Sequence, residues 1–175
     1  MNRSGVRVVV GAPLLSTHMK MKIALASLLF IIAGATAEPQ GIIIGFRGSQ
    51  EQFDQKAFED FANKRNLRPI AVSPYYMARA VEIIERHRGR YELYGYSLGA
   101  QAAKQVVVYQ HQARKKLPDR ITTVGAHKKT NVDFAPYGIP FVNYFDDSGR
   151  GNAAPGQHID LPHDQIMRYV TDNFN

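Results

Sequence analysis

The sequence predicts an α/β protein, a three-layer sandwich in which a mainly parallel sheet carries helices on both faces. Two observations carry that expectation. Short apolar runs alternate with stretches of helical periodicity, which implies parallel strands joined by crossover helices. One of these runs, Gly41-Ile42-Ile43-Ile44-Gly45-Phe46, is apolar throughout, as a strand covered on both faces requires. The 175 residues, of which 45% are hydrophobic, suffice for one core and are few for two.

The elements follow in order. After the Gly41–Phe46 run, Phe53, Ala57, Phe58, Phe61 and Ala62 fall on one helical face. Arg68 to Val72 reads as a second strand, and Met77, Ala80, Val81 and Ile84 mark a second helix at spacings of three and four. Tyr91 to Tyr94 is a third short strand leading into Gly95. Leu98 to about Gln110 is the next helix, with Ala103, Val106 and Val107 available for burial. Ile121–Val124 and Pro140–Phe145 are further strands. An amphipathic helix carrying Ile166, Val170 and Phe174 closes the chain.

Residues 1–37 read as a targeting leader. Lys20-Met21-Lys22 precedes an apolar run from Ile23 to Ala33 and then Ala35-Thr36-Ala37, the parts of a secretory signal peptide. The run is shorter than the roughly 20 residues a membrane span needs. Cleavage after Ala37 leaves a single domain, 38–175, expected as a secreted or periplasmic monomer. It meets a membrane only if the leader is retained as an anchor. Met19 and Met21 are better placed starts than Met1, so 1–18 reads as an over-long extension.

The leader also explains most of the net charge of +7. It holds four of the 22 basic residues and no acid, which leaves 18 basic against 15 acidic side chains, or +3. The cluster Arg114-Lys115-Lys116 follows a helix, where the macrodipole favours cations. A nucleic-acid partner is therefore not expected. The sequence has no cysteine, so disulfides, thiolate ligands and a thiol nucleophile are excluded.

Gly95-Tyr96-Ser97-Leu98-Gly99 carries the chemistry. It matches the G-x-S-x-G pattern and falls between a strand and a helix, where a sharp turn lifts a serine hydroxyl above a sheet. The bland alternative is a serine that caps the helix. Acyl transfer also needs two donors for the developing oxyanion. The N–H of Leu98, next to the serine, is one; the loop Phe46-Arg47-Gly48-Ser49 after the first strand is the expected source of the other.

A strand ending in Phe-Arg-Gly-Ser with Gly-x-Ser-Leu-Gly downstream resembles the class 3, fungal-type lipases of the α/β-hydrolase superfamily. The resemblance extends weakly through Thr123-Val124-Gly125, Asn131, and Val142-Asn143 to Asp146. It implies a minimal α/β-hydrolase fold, with Ser49 as an oxyanion donor. The chain departs from the pattern at Tyr96, where histidine is usual, and at Lys128-Lys129, where Pro-Arg is usual. No segment is long enough for a lid helix.

In such folds the triad runs serine, acid, histidine along the chain. Asp146 and Asp147 end the Pro140–Phe145 strand; Asp146 holds the family-matched position, and Asp147 is the alternative. His163, in a loop before the last helix, is the expected base, with His158 as its alternative. No metal site is expected, because His158 and His163 lack a helical spacing and a completing carboxylate. No cofactor is implied. The sequence thus reads as an exported serine hydrolase of small-molecule carboxylic or thio esters. A non-catalytic binding module on the same fold, or a membrane-anchored protein, is the alternative.

Overall fold

The computed structural model describes residues 38–48, 53–130, 132–149 and 155–174. The leader, 1–37, lies outside the described residues, as do Ser49 and Asn131. The described strands are β1 (Gly41–Phe46), β2 (Arg68–Val72), β3 (Arg90–Tyr96), β4 (Arg120–Val124), β5 (Phe141–Phe145) and β6 (Gln157–His158). They pair in the order β2-β1-β3-β4-β5-β6, every pair parallel. The helices are α1 (Gln55–Lys64), α2 (Met77–Arg86), α3 (Leu98–Gln112) and α4 (Ile166–Asp172).

Alternation along β1 divides the core in two. Ile42, Ile44 and Phe46 join α2 and α3 in one apolar cluster, while Ile43 joins Phe58 and Phe61 of α1 and Val170 of α4 in the other. Each face of the sheet is thereby covered, which is why β1 shows no polar residue at either parity. Pro69, which cannot donate to a ladder, sits in the edge strand β2.

Three elements differ from the sequence expectation. Strand β3 continues through Gly95 to Tyr96, because β1 pairs with Gly95 and β4 with both residues. Strand β6 has two residues, too few for periodicity to register, and pairs with Tyr144 and Phe145. The last helix stops at Asp172; Phe174 lies beyond it and packs on Phe61 with ring centroids 4.7 Å apart.

Helix α1 starts at Asp54, whose carboxylate accepts from the Ala57 N–H at 2.8 Å. It also anchors α4. Arg168 reaches Asp54 at 3.1 Å and Asp60 at 3.0 Å, and the Thr171 hydroxyl donates to the Ala57 carbonyl at 3.0 Å. These ties hold the segment between β6 and α4, which carries His163. Truncating a core ring such as Phe61 costs about 3–5 kcal/mol by lost burial and cavity formation.

Candidate active site

The strand order turns back between β1 and β3, since β2 lies outside β1 while the chain then proceeds to β4, β5 and β6. In open parallel sheets such a switch point leaves a crevice at the carboxyl ends of the strands. Ser97 follows β3 at that place. Its backbone has φ 52° and ψ −118°, a left-handed conformation that costs a non-glycine residue about 1–3 kcal/mol.

Neighbouring glycines permit the turn. A Cβ at Gly95 would lie 2.6 Å from the Ala100 Cα, and one at Gly99 would lie 2.1 Å from the Phe46 carbonyl oxygen. The start of α3 is thus pressed against both β3 and the end of β1. On the β1 side, a Cβ at Gly48 would stand 3.2 Å from that of Ser97. The Phe46–Gly48 turn therefore abuts the serine; Ser49, the next residue, is not described.

The Ser97 side chain makes no capping hydrogen bond to α3, contrary to the capping alternative. Among the described residues its hydroxyl has no hydrogen-bond partner, so a Ser97–His163 hydrogen bond is not formed here. Such contacts often tighten only with substrate bound. The Ser97 N–H donates to Val124 at 2.9 Å, which ties the turn to the end of β4.

The residue after Val124 brings in the histidine. A Cβ at Gly125, which has φ +64°, would lie 2.6 Å from the His163 Cε1. The imidazole therefore lies on the Gly125 backbone, one residue beyond the carbonyl that holds Ser97. Tyr96 supports it from beside the serine. Its hydroxyl donates to the His163 carbonyl at 2.9 Å, and the two rings are 5.0 Å apart. Burial raises the Tyr96 phenol well above its ordinary pKa, and the Asp146 charge adds to this, so it stays a proton donor.

Nδ1 of His163 hydrogen-bonds Oδ2 of Asp146, the residue that follows β5. The other oxygen, Oδ1, accepts from the Ser148 N–H at 2.9 Å and hydroxyl at 2.5 Å. Asp146 is buried, and burial alone raises its pKa. The Ser148 and His163 hydrogen bonds outweigh that and hold it below the usual value of 3.8. Asp147 and His158 instead meet each other at 2.9 Å, with the Asp147 side chain largely exposed. Leu98 opens α3, so its N–H belongs to the unsatisfied first turn.

Two contributors were not singled out from sequence. Ser148 fixes the carboxylate, and its signal was the Asp-Asp-Ser-Gly turn, in which a serine two residues on can return a bond to an aspartate. Gly125 makes room for the imidazole, a contact between β4 and a loop 38 residues later that no local pattern announces. Among the described residues no His, Cys, Asp and Glu side chains cluster as metal ligands, and no helix is long and apolar enough to cross a membrane.

No protein-family model matches the chain, and no characterised protein matches it by sequence. Solved structures resemble it in shape. YbtT, a type II thioesterase from the yersiniabactin biosynthetic pathway, aligns with a TM-score of 0.50 at 10% identity, over 79% of this chain and 91% of that one. The RedJ thioesterase of Streptomyces coelicolor aligns at 0.48 with 11% identity, over 78% and 91%. Human thioesterase 2 aligns at 0.40 with 8% identity, over 76% and 95%. At such identities only fold is carried across, and the YbtT match supports it. The chain has a minimal α/β-hydrolase fold: a six-stranded parallel sheet with helices on both faces.

Proposed function

We propose that this chain is a serine hydrolase that cleaves carboxylic esters or thioesters through an acyl-enzyme. Ser97 Oγ attacks the acyl carbon while Nε2 of His163 takes its proton. The bond to the leaving oxygen or sulfur breaks, and that atom receives the proton from His163. Water then repeats the sequence on the acyl-serine and releases the acid. Asp146 holds Nδ1 and stabilises the imidazolium without being protonated itself. The Leu98 N–H and Ser49 are the proposed oxyanion donors; losing one such donor lowers kcat by about 100–1,000-fold.

The observation that carries this reading is Ser97: a non-glycine residue in a left-handed turn, its hydroxyl unengaged among the described residues, its N–H held by the carbonyl of Val124, the residue before the glycine on which a carboxylate-held histidine rests. The Phe46–Ser49 and Gly95–Gly99 motifs favour the fungal-type lipase branch, whereas the similarity in fold to the thioesterase YbtT makes thioesters the second substrate class to test. Cleavage of the 1–37 leader would deliver the enzyme to a secreted or periplasmic location, beginning at Glu38.

A fluorophosphonate probe tests the reading, because it reacts only with an activated serine next to a formed oxyanion site. Ser97 is expected to carry the adduct by mass spectrometry, and Ser97→Ala to carry none. Labelling of Ser97→Ala at the wild-type rate would overturn the assignment.

A further inference from the structure

A furrow runs down the outer face of the molecule between α2 and α3, from the level of Leu98 to that of Tyr109. Its upper part, about 280 Å³, is lined by Pro74, Tyr75, Met77, Leu98 and Ala102, with Gln101 and Gln105 as its polar members. Leu98 is the residue after Ser97, so this part opens beside the reacting centre. Its lower part, about 430 Å³, is lined by Met77, Ala78, Val81, Gln105, Val106 and Tyr109, with Glu82 and Glu85 on its far side. Met77 and Gln105 line both parts, so the two clefts adjoin there.

Its chemistry changes along its length. From Leu98 to Tyr109 most of the lining is aliphatic or aromatic, and Tyr75 and Tyr109 stay largely exposed. At the lower end stand charges that are already matched: Glu82 with Arg79 at 2.7 Å and Arg86 at 2.6 Å, and Glu85 with Lys115, whose ammonium lies 5.3 Å from the Tyr109 ring centroid. Such ion pairs do not welcome a methyl end. Leu98 to Tyr109 spans eleven residues of one helix, or about 16 Å, roughly the length of an extended dozen-carbon chain.

We infer that this furrow binds the acyl chain of the substrate, so that the enzyme prefers medium-chain acyl esters or thioesters of up to roughly a dozen carbons, the helical rise from Leu98 to Tyr109 setting the limit. The inference rests on the catalytic reading of Ser97. It goes further by naming the acyl group and the path it takes. The chain enters past Leu98, crosses Met77 and Gln105, and ends short of the Glu82 and Glu85 ion pairs. An open furrow buries about half of each methylene, so kcat/KM should rise about twofold per added methylene, half the free energy of full burial.

The experiment is a p-nitrophenyl ester series from acetate to palmitate, each below its micelle concentration, on the full chain and on Gln105→Trp. Gln105 is exposed, so the indole is tolerated by the fold and blocks the furrow midway. Wild type should show kcat/KM climbing about twofold per methylene and levelling near dodecanoate. In Gln105→Trp the ratio of decanoate to acetate activity should fall about tenfold or more, with the plateau moved to shorter chains. A flat length profile, or a Gln105→Trp profile parallel to wild type, overturns the proposal. Fluorophosphonate labelling separates the two readings. A labelled Ser97 with a flat profile removes only the acyl path, while no labelling and no hydrolysis of any ester removes the catalytic reading and the path with it.

Discussion

Toward the N-terminal edge of the sheet Glu92 is buried with both carboxylate oxygens engaged, whereas at the C-terminal edge the Ser97 hydroxyl has no partner among the described residues and its backbone is strained. Glu92 lies in β3 and Ser97 directly follows it, five positions on. Glu92 receives two bonds of 2.6 Å from Arg65 and a further contact from Arg90. Around it Tyr91 donates through its hydroxyl to Lys116 and through its N–H to Asp119. At the other edge, close backbone approach at Gly95, Gly99 and Gly125 replaces side-chain bonding. At one edge the buried carboxylate is paired through both oxygens; at the other the Ser97 hydroxyl stays unengaged among the described residues, on a strained backbone. That division is what the proposed hydrolytic site requires of its frame.

The comparison can be broken from either side. Ser97→Ala is expected to lower kcat by about 10⁴-fold or more, read by ester hydrolysis, with an unchanged thermal midpoint. Glu92→Ala should behave in the opposite way. It leaves Arg65 facing the core without its partner and should cost about 3 kcal/mol in denaturant unfolding, with probe labelling of the folded fraction as in wild type. Loss of labelling in folded Glu92→Ala would show the two edges to be coupled.

Gly125→Ala joins the two kinds of effect. The left-handed backbone alone costs about 1–2 kcal/mol with a Cβ present, and that Cβ would press on the imidazole. Stability and kcat should therefore fall together, and activity that survives in full would remove His163 from its proposed role.

Ser148→Ala is the smallest of these changes and the sharpest about Asp146. It removes the hydroxyl bond to Oδ1 and leaves the backbone one, so a loss of about 1 kcal/mol near neutrality is expected. Because folding lowers the Asp146 pKa, its contribution is present above the ordinary value of 3.8 and is lost as pH falls through the lower folded value. The stability difference between wild type and Ser148→Ala should accordingly shrink below that pH. A difference constant from neutrality down to pH 2 would mean that Ser148 does not act through the carboxylate.

The two Asp–His pairs show where sequence reading stops. Asp146 and Asp147 are adjacent, and His158 and His163 are five apart; local pattern offers either crossing. In space each histidine takes a different aspartate, His163 with buried Asp146 and His158 with exposed Asp147. Asp146 follows the end of β5 and Asp147 opens a short 3-10 turn, while β6 sets His158 beside Phe145, so the two histidines meet different carboxylates.

Most of the frame was legible without coordinates. Buried parallel strands are written as apolar runs such as Gly41–Phe46, and amphipathic helices as spacings such as Phe58, Phe61 and Ala62, because local periodicity is set by backbone geometry. The Gly-Tyr-Ser-Leu-Gly turn was equally legible, since the tight turn needs those glycines whatever surrounds it. Three features were decided only by tertiary structure: the His163 imidazole resting on Gly125, Ser148 holding Asp146, and the furrow between α2 and α3. Each depends on residues from separate elements meeting at distances of a few ångströms. The relative placement of elements comes from packing two faces of one sheet at once, and a sequence pattern records only which side of its own element a residue occupies.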